Sequence, residues 1–220
     1  MDKIPADGGL NFFGRITASI SHELKNSLAV INELSGLMGD LLAMAAEKGR
    51  PPDAERFASL TCRIGDQVSR ADGIIRRLNR FAHTVDEEVR MVDVGQAAMF
   101  LATLCGRFAE QRVVTVTVEE PEEALFIETS LFAFLLVGFL VLDHAMNQAG
   151  HCGKVNLAVR RGEDGEAEIR FSGTWSEPFC LAPEAALALD AWQGRLGILT
   201  PGLGAAPEVN IVWPARMLRL

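Results

Sequence analysis

The sequence predicts an α+β protein in which an antiparallel helical hairpin is followed by a layered segment of helices and short strands. Apolar residues recur every three or four positions through two long stretches, which is typical of amphipathic helices. A short turn with two adjacent prolines, Pro51 and Pro52, separates these stretches. Beyond residue 93, alternating apolar and polar residues are mixed with shorter helical patterns, which indicates strands packed against helices.

The hairpin is predicted to occupy residues 11–84, after an N-terminal tail of residues 1–10. Its first helix covers about residues 11–46, and its second covers about residues 53–83 with Asp53 as the N-cap. Two helices alone leave much of their apolar stripes uncovered. We therefore expect a homodimer in which two hairpins form a four-helix bundle.

Residues 85–93 are predicted to be a charged linker, and residues 94–220 a second domain. Its predicted order is helix, strand, strand, helix, β-hairpin, helix, strand. The first helix covers residues 94–110, and the two strands after it cover 113–118 and 125–127. The next helix is capped by Thr129 or Ser130 and ends near residue 149. The β-hairpin has strands over 154–160 and 166–171, and it is followed by a helix over 183–192 and a strand over 208–213. This order predicts an α/β sandwich with helices on one face of a mixed sheet.

Composition and charge limit the function classes. The chain has 220 residues, 49% of them hydrophobic, so a substantial core is expected. A formal net charge of −8 argues against nucleic acid as a partner, because a nucleic-acid backbone would be repelled. The N-terminus lacks a secretory pattern, and the apolar run over residues 131–142 is too short to span a bilayer. We therefore expect a cytoplasmic protein with no membrane segment.

The four cysteines are widely spaced, with no C-x-x-C pair, so the sequence predicts no metal site. Cys62 and Cys105 lie in apolar helical settings and are predicted to be buried thiols.

His22 lies on the polar face of the first predicted helix. At about 100° per residue, it falls roughly 190° from the centre of the apolar stripe. Asn26 is one turn further along the same face, Ser19 is nearby, and Glu23 flanks the stripe. An exposed imidazole titrates near neutrality and can act as a nucleophile or proton carrier. On spacing alone, however, a surface histidine without a chemical role is the commoner interpretation.

The segment from Ser21 reads Ser-His-Glu-Leu-Lys-Asn and resembles the H-box of two-component sensor histidine kinases. The resemblance implies that His22 is phosphorylated on a ring nitrogen. It implies that Glu23 acts as general base or orients the ring, and that Asn26 can orient a water for dephosphorylation.

The same resemblance implies that a partner domain contacts the helix around His22, with Ser19 and Lys25 at the contact. The sequence departs from the family at one nearby position. The family usually has a proline after the asparagine, whereas this chain has Ser27. Because proline kinks a helix, we expect a straighter helix here.

The resemblance makes residues 94–220 a degenerate counterpart of the kinase ATPase-like domain. Leu142 stands where the family has an asparagine that holds Mg²⁺ between phosphates. Ser172 lies where the family has an aspartate that binds adenine, and the glycine-rich turn survives only weakly over residues 194–204. Because phosphoryl transfer depends on charge compensation, we expect neither use nor measurable binding of ATP.

Together these observations predict a histidine phosphotransferase of a two-component phosphorelay, which exchanges phosphate between a receiver-domain aspartate and His22 without ATP. The chain is expected to bind no cofactor itself, with Mg²⁺ supplied by the partner receiver domain. Expected partners are a second copy of the chain and a response-regulator receiver domain, with a sensor kinase as a further candidate. Neither nucleic acid nor membrane is expected as a partner.

Three alternatives stay open at this point. A response-regulator phosphatase would use Asn26 to position water. A non-catalytic decoy would bind a kinase or regulator through the helical bundle. A diverged but active histidine kinase would still require ATP.

Overall fold

The structure is a computed structural model that describes residues 6–86, 89–162, 166–173 and 208–213. The chain divides into two compact units, one of Thr17–Phe81 and one of Met1–Ile16 with Ala82–Leu220. In chain order the described elements are α1 (Ala6–Glu47), α2 (Ala54–His83), β1 (Arg90–Asp93), α3 (Val94–Arg112), β2 (Thr115–Glu119), β3 (Phe126–Thr129), α4 (Leu131–Ala149), β4 (Lys154–Arg161), β5 (Ala167–Gly173) and β6 (Glu208–Trp213). The predicted α+β class, a helical hairpin followed by an α/β part, is confirmed.

The hairpin turn is set by local backbone chemistry. Gly49 adopts φ +58° after the end of α1, and its N–H donates to the carbonyl of Ala46. Such a left-handed residue ends a helix at little energetic cost when it is glycine. Asp53 caps α2 as predicted, since its Oδ1 accepts from the Arg56 N–H at 3.1 Å.

Helix α1 begins earlier than the sequence pattern predicted, at Ala6 instead of residue 11. Gly8 and Gly9 lower the helix propensity there, which favoured a later start. The added turn packs against α4, since a Cβ atom at Gly9 would lie 3.6 Å from Cε1 of Phe132. Phe12, which follows it, is 2% exposed and contacts the Phe132 and Phe139 rings at centroid distances of 5.5 and 5.0 Å.

The sheet of the α/β unit has the order β2-β4-β5-β6, with β2 and β4 parallel and the other pairs antiparallel. Helices α3 and α4 pack against it. The core side chains of β4 and β5, with Ile211 of β6, are buried. The predicted mixed sheet covered by helices is therefore confirmed. The predicted helix over residues 183–192 and the glycine turns over 194–204 lie outside the described residues.

Two segments of this unit differ from the predictions. Residues 90–93, expected within a linker, form β1, which pairs antiparallel with β3. A four-residue strand is too short to show a clear alternation. Val113, expected to start a strand, instead ends α3 in a left-handed conformation at φ 57°, and β2 starts at Thr115.

Helices α3 and α4 approach each other closely at Gly138. A Cβ atom at this position would lie 2.5 Å from Cδ2 of Leu101, which is itself fully buried. Of the two predicted caps, Thr129 and Ser130, it is Ser130 that caps α4, by accepting from the Ala133 N–H at 3.4 Å.

Helices α1 and α4 are each long and apolar enough, by length and composition alone, to cross a membrane. The apolar window of α4 is 67% buried within the chain, which is typical of the core helix of a globular domain. The apolar run over residues 131–142 thus belongs to a buried helix, as expected, although that helix is longer than the run.

Candidate functional site

His22 is exposed on α1, and within the described part of the chain its imidazole makes no hydrogen bond or ion pair. The helix is uninterrupted through Ser27, in line with the missing proline. The site thus offers both ring nitrogens of His22 to a partner.

The other three histidines each have a polar neighbour. His83 Nδ1 lies 3.1 Å from the Asp86 carboxylate, and His144 Nε2 lies 3.4 Å from Gln148 Nε2. His151 Nδ1 lies 3.1 Å from Cys152 Sγ. Among the four, His22 is therefore the one whose ring is both exposed and unengaged by described residues.

Glu23 reaches across the hairpin instead of bonding His22. Its Oε2 accepts from Arg77 Nη2 of α2 at 3.0 Å, and the two side chains are only 15% and 21% exposed. Neighbouring residues on a helix do not face each other, whereas a residue that flanks the apolar stripe can reach the facing helix. The predicted catalytic role of Glu23 stays a prediction, but no direct hydrogen bond to His22 is present.

The remaining predicted site residues fall into two groups. Lys25 and Asn26 are exposed on α1, where a partner can reach them. Ser19 is only 6% exposed, so little of its side chain is accessible, and its contact with a partner stays a prediction. On the helical wheel Ser19 lies only about 65° from the centre of the α1 positions that are buried, which are Phe12, Ile16, Ile20, Ser27 and Leu34, and this explains its burial.

The hairpin has an apolar side opposite the Glu23–Arg77 pair. At about 100° per residue, Leu28 lies about 140° from Glu23 on α1, while Val68 and Ile75 lie about 180° and 160° from Arg77 on α2. These three side chains are 52%, 53% and 43% exposed. This side of the hairpin therefore leaves apolar surface open to solvent.

In the α/β unit, Leu142 is fully buried and presents no ligand atom. The next residue, Asp143, is held by two guanidinium groups. Arg15 Nη1 and Nη2 donate to its two oxygens at 3.0 and 3.1 Å, and Arg112 Nη2 donates at 2.8 Å. Arg112 Nε also donates to Asn147 Oδ1 at 2.7 Å. The polar side chains beside Leu142 are therefore engaged within the protein.

Aromatic rings and a thiol surround this cluster. The Arg15 guanidinium carbon lies 4.7 Å from the centroid of Phe139 and 5.4 Å from that of Phe108, within the range of cation–π attraction. Burial, assisted by the negative charge of Asp143, raises the pKa of the Cys105 thiol. Cys105 is thus buried, as predicted, whereas Cys62 is exposed and its predicted burial is wrong. Cys62 lies on the outer face of α2, about 160° from the buried Leu60.

No group of three or more His, Cys, Asp or Glu residues in the described ranges is arranged to hold a metal ion.

Sequence reasoning missed the roles of Arg15, Arg77 and Arg112. For Arg77 a signal was present, because Glu23 and Arg77 are equidistant in sequence from Arg50 in the hairpin turn and both flank their apolar stripes. For Arg15 and Arg112, no local pattern indicates Asp143 as a partner, since Arg15 and Asp143 are 128 positions apart.

No protein-family model and no curated protein matches the sequence. Among solved structures, the catalytic domain of histidine kinase ThkA is similar at 12% identity with a TM-score of 0.48, covering 58% of this chain and 96% of that one. Histidine kinase AdeS of Acinetobacter baumannii is similar at 12% identity and a TM-score of 0.47, covering 89% of this chain and 98% of that one. ThkA in complex with the response regulator TrrA is similar at 14% identity and a TM-score of 0.46, covering 93% of this chain and 61% of that one. Likenesses of this level assign no activity to the chain.

Proposed function

We propose that this chain is a cytoplasmic histidine phosphotransferase of a two-component phosphorelay, in which His22 accepts and returns phosphate from a receiver-domain aspartate without ATP. The observation that carries the proposal is the exposed, unengaged imidazole of His22 on the polar side of a helical hairpin, in the H-box sequence order. An imidazole is a good nucleophile near neutral pH.

In the forward step, the lone pair of a neutral His22 ring nitrogen attacks phosphorus of the aspartyl phosphate. The P–O bond to the aspartate breaks, its electron pair stays on the carboxylate, and an N–P bond forms while the other ring nitrogen keeps its proton. The reverse step regenerates the aspartyl phosphate. Mg²⁺ would come with the receiver domain and would supply charge compensation for the phosphoryl group.

The homodimer belongs to the same proposal. A second copy of the chain would cover the apolar side of the hairpin that carries Leu28, Val68 and Ile75. Because this side lies opposite the Glu23–Arg77 pair, the dimer would leave His22 free for a receiver domain.

An ATP-independent reaction is supported by the surroundings of Leu142. This side chain is fully buried, and both oxygens of the adjacent Asp143 already accept from arginines. This part of α4 has no free carboxylate for a nucleotide-bound metal ion, so we expect calorimetry with ATP and Mg²⁺ to detect no binding.

The test mixes the protein with a panel of receiver domains that carry labelled aspartyl phosphate. We expect acid-labile, base-stable label on the wild type and on His83→Ala, a matched control with an exposed histidine, and none on His22→Ala. Label acquired from ATP alone, or transfer to His22→Ala, would contradict the proposal.

The phosphatase alternative has one favourable observation. Asn26 is exposed one turn from His22. Faster loss of the receiver's phosphate that depends on Asn26, with no label on this chain, would identify a phosphatase instead.

A further inference from the structure

We propose that the first turns of α1, residues 8–16, form a strap that opens and closes over α4 while the rest of the α/β unit stays folded. These residues belong to the α/β unit, whereas the same helix continues from Thr17 as part of the hairpin unit. The inference is independent of the phosphotransferase proposal, because it involves neither the reactive histidine nor its neighbours.

The strap is attached to α4 through one face of its helix. Phe12 is 2% exposed and packs against two rings of α4, those of Phe132 and Phe139. One turn later, Arg15 donates to both oxygens of Asp143, at 3.0 and 3.1 Å. The closed state of the strap therefore depends on a short row of side chains rather than on a large buried core.

The sequence of the strap has little tendency to form a helix by itself. Three of its nine residues are glycine, at positions 8, 9 and 14, and each glycine lowers helix stability relative to alanine. At Gly14, a Cβ atom would meet nothing within 4 Å, so packing does not require glycine there. The helical state of these turns is therefore maintained mainly by their contacts with α4, and a released strap should unwind.

Opening of the strap does not leave the Asp143 carboxylate without a cation. Arg112 Nη2 donates to Asp143 Oδ1 at 2.8 Å, and this bond can stay in place when Arg15 leaves. The Arg15 side chain is already 39% exposed, so its guanidinium reaches water after a small displacement. Because no charge is buried without a partner, the strap can open at a lower free energy than the whole unit unfolds.

Native-state hydrogen exchange of the full-length protein tests the strap. The amides of residues 12–16 donate to carbonyls four positions earlier in the strap, so their exchange reports its opening. We expect these amides to exchange through openings that low concentrations of urea barely change. The amides of residues 135–142 in α4 should exchange through larger openings that urea promotes.

Two kinds of variant shift the opening in opposite directions. Arg15→Met should accelerate exchange of the strap amides by at least about tenfold, because a bidentate charged hydrogen bond is lost. Arg15→Lys keeps the charge but loses the paired geometry, so its rates should lie between those of the wild type and Arg15→Met. Gly14→Ala should slow the exchange about fivefold, since alanine favours the helical, closed state.

Gly36→Ala is the matched control. Gly36 lies in the same helix but in the hairpin unit, and a Cβ atom there also meets nothing within 4 Å. This substitution should leave the exchange of the strap amides unchanged. Since Gly14→Ala is expected to fold at least as well as the wild type, the comparison holds even if Arg15→Met does not fold.

Three results would overturn the proposal. Equal urea dependence for the strap and α4 amides would show that the strap opens only when the unit unfolds. Strap amides that exchange as fast as those of an unstructured chain would show that the strap does not close. Equal shifts in Gly14→Ala and Gly36→Ala would show that α1 opens as one piece rather than at the strap.

Discussion

His22 on α1 and Asp143 on α4 are both polar side chains on long helices, yet their surroundings are opposite. The His22 ring is exposed and unengaged by described residues, whereas the Asp143 carboxylate accepts three hydrogen bonds from two arginines and is 17% exposed. A polar group with satisfied bonds contributes to structure, while one left open to solvent is available for chemistry. The comparison therefore gives Asp143 a structural role and leaves the His22 ring accessible to solvent.

The hairpin itself has two contrasting sides, the apolar side that carries Val68 and the polar side that carries His22. Val68→Asp tests this contrast and has the largest expected effect. A carboxylate buried without a partner in a dimer interface opposes association by several kcal/mol. We expect the dissociation constant of the dimer to rise at least about 100-fold by analytical ultracentrifugation.

The control lies on the other side of the hairpin. Asn26→Asp, which adds the same charge on the exposed His22 side, should leave the dimer intact. A wild-type monomer at micromolar concentration would remove the basis of this prediction.

Removal of the Asp143 carboxylate should have the next largest effect, on the free energy of unfolding. Asp143→Ala leaves Arg15 and Arg112 partly buried without their shared acceptor, so we expect a loss of about 2–3 kcal/mol in the free energy of unfolding. His22→Ala should change this free energy by less than about 0.5 kcal/mol, as is usual for an exposed residue. Equal effects in urea denaturation would show that the two sites do not differ as described.

Cys105, next to the Asp143 cluster, should make the free energy of unfolding depend on pH in the alkaline range. Burial raises its pKa, so the folded protein keeps the thiol neutral where the unfolded chain, with the ordinary value of 9.0, begins to ionise. The stability that the neutral thiol contributes to the folded protein is therefore fully present below pH 9, and it is lost progressively as pH rises above that value. Relative to Cys105→Ala, we expect the wild type to lose up to about 1.4 kcal/mol per pH unit there. A difference that stays constant between pH 8 and 11 would contradict this.

Ser130→Ala is the smallest change. It removes the side-chain acceptor at the start of α4, so we expect a loss of about 1 kcal/mol. Ser130→Asp should retain the cap and most of the stability. A melting temperature that does not differ between these two variants would indicate that the 3.4 Å contact contributes nothing.

The hairpin and the order of the later elements could be predicted because each depends on local periodicity and on caps such as Asp53 and Ser130. The candidate site could be predicted in part. The exposure of His22 and Asn26 follows from the helical wheel, whereas Lys25 was singled out only by the resemblance to the H-box. The burial of Ser19 depends on how wide the covered stripe is. The partners of Glu23 and Asp143 depend on contacts between distant segments, which a single sequence does not encode locally. Strand β1 was missed because four residues carry too little pattern.

The first turns of α1 have a consequence for how the chain is made. Phe12 and Arg15 are synthesised early, but their partners Phe139 and Asp143 emerge more than a hundred residues later, and Arg15 and Asp143 are 128 positions apart. Closing so long a loop is slow compared with forming the hairpin turn between α1 and α2. The hairpin can therefore form on the ribosome while the aromatic surface of α4 is still to come. A nascent chain stalled before residue 139 would hold a folded hairpin with Phe12 still uncovered by that ring.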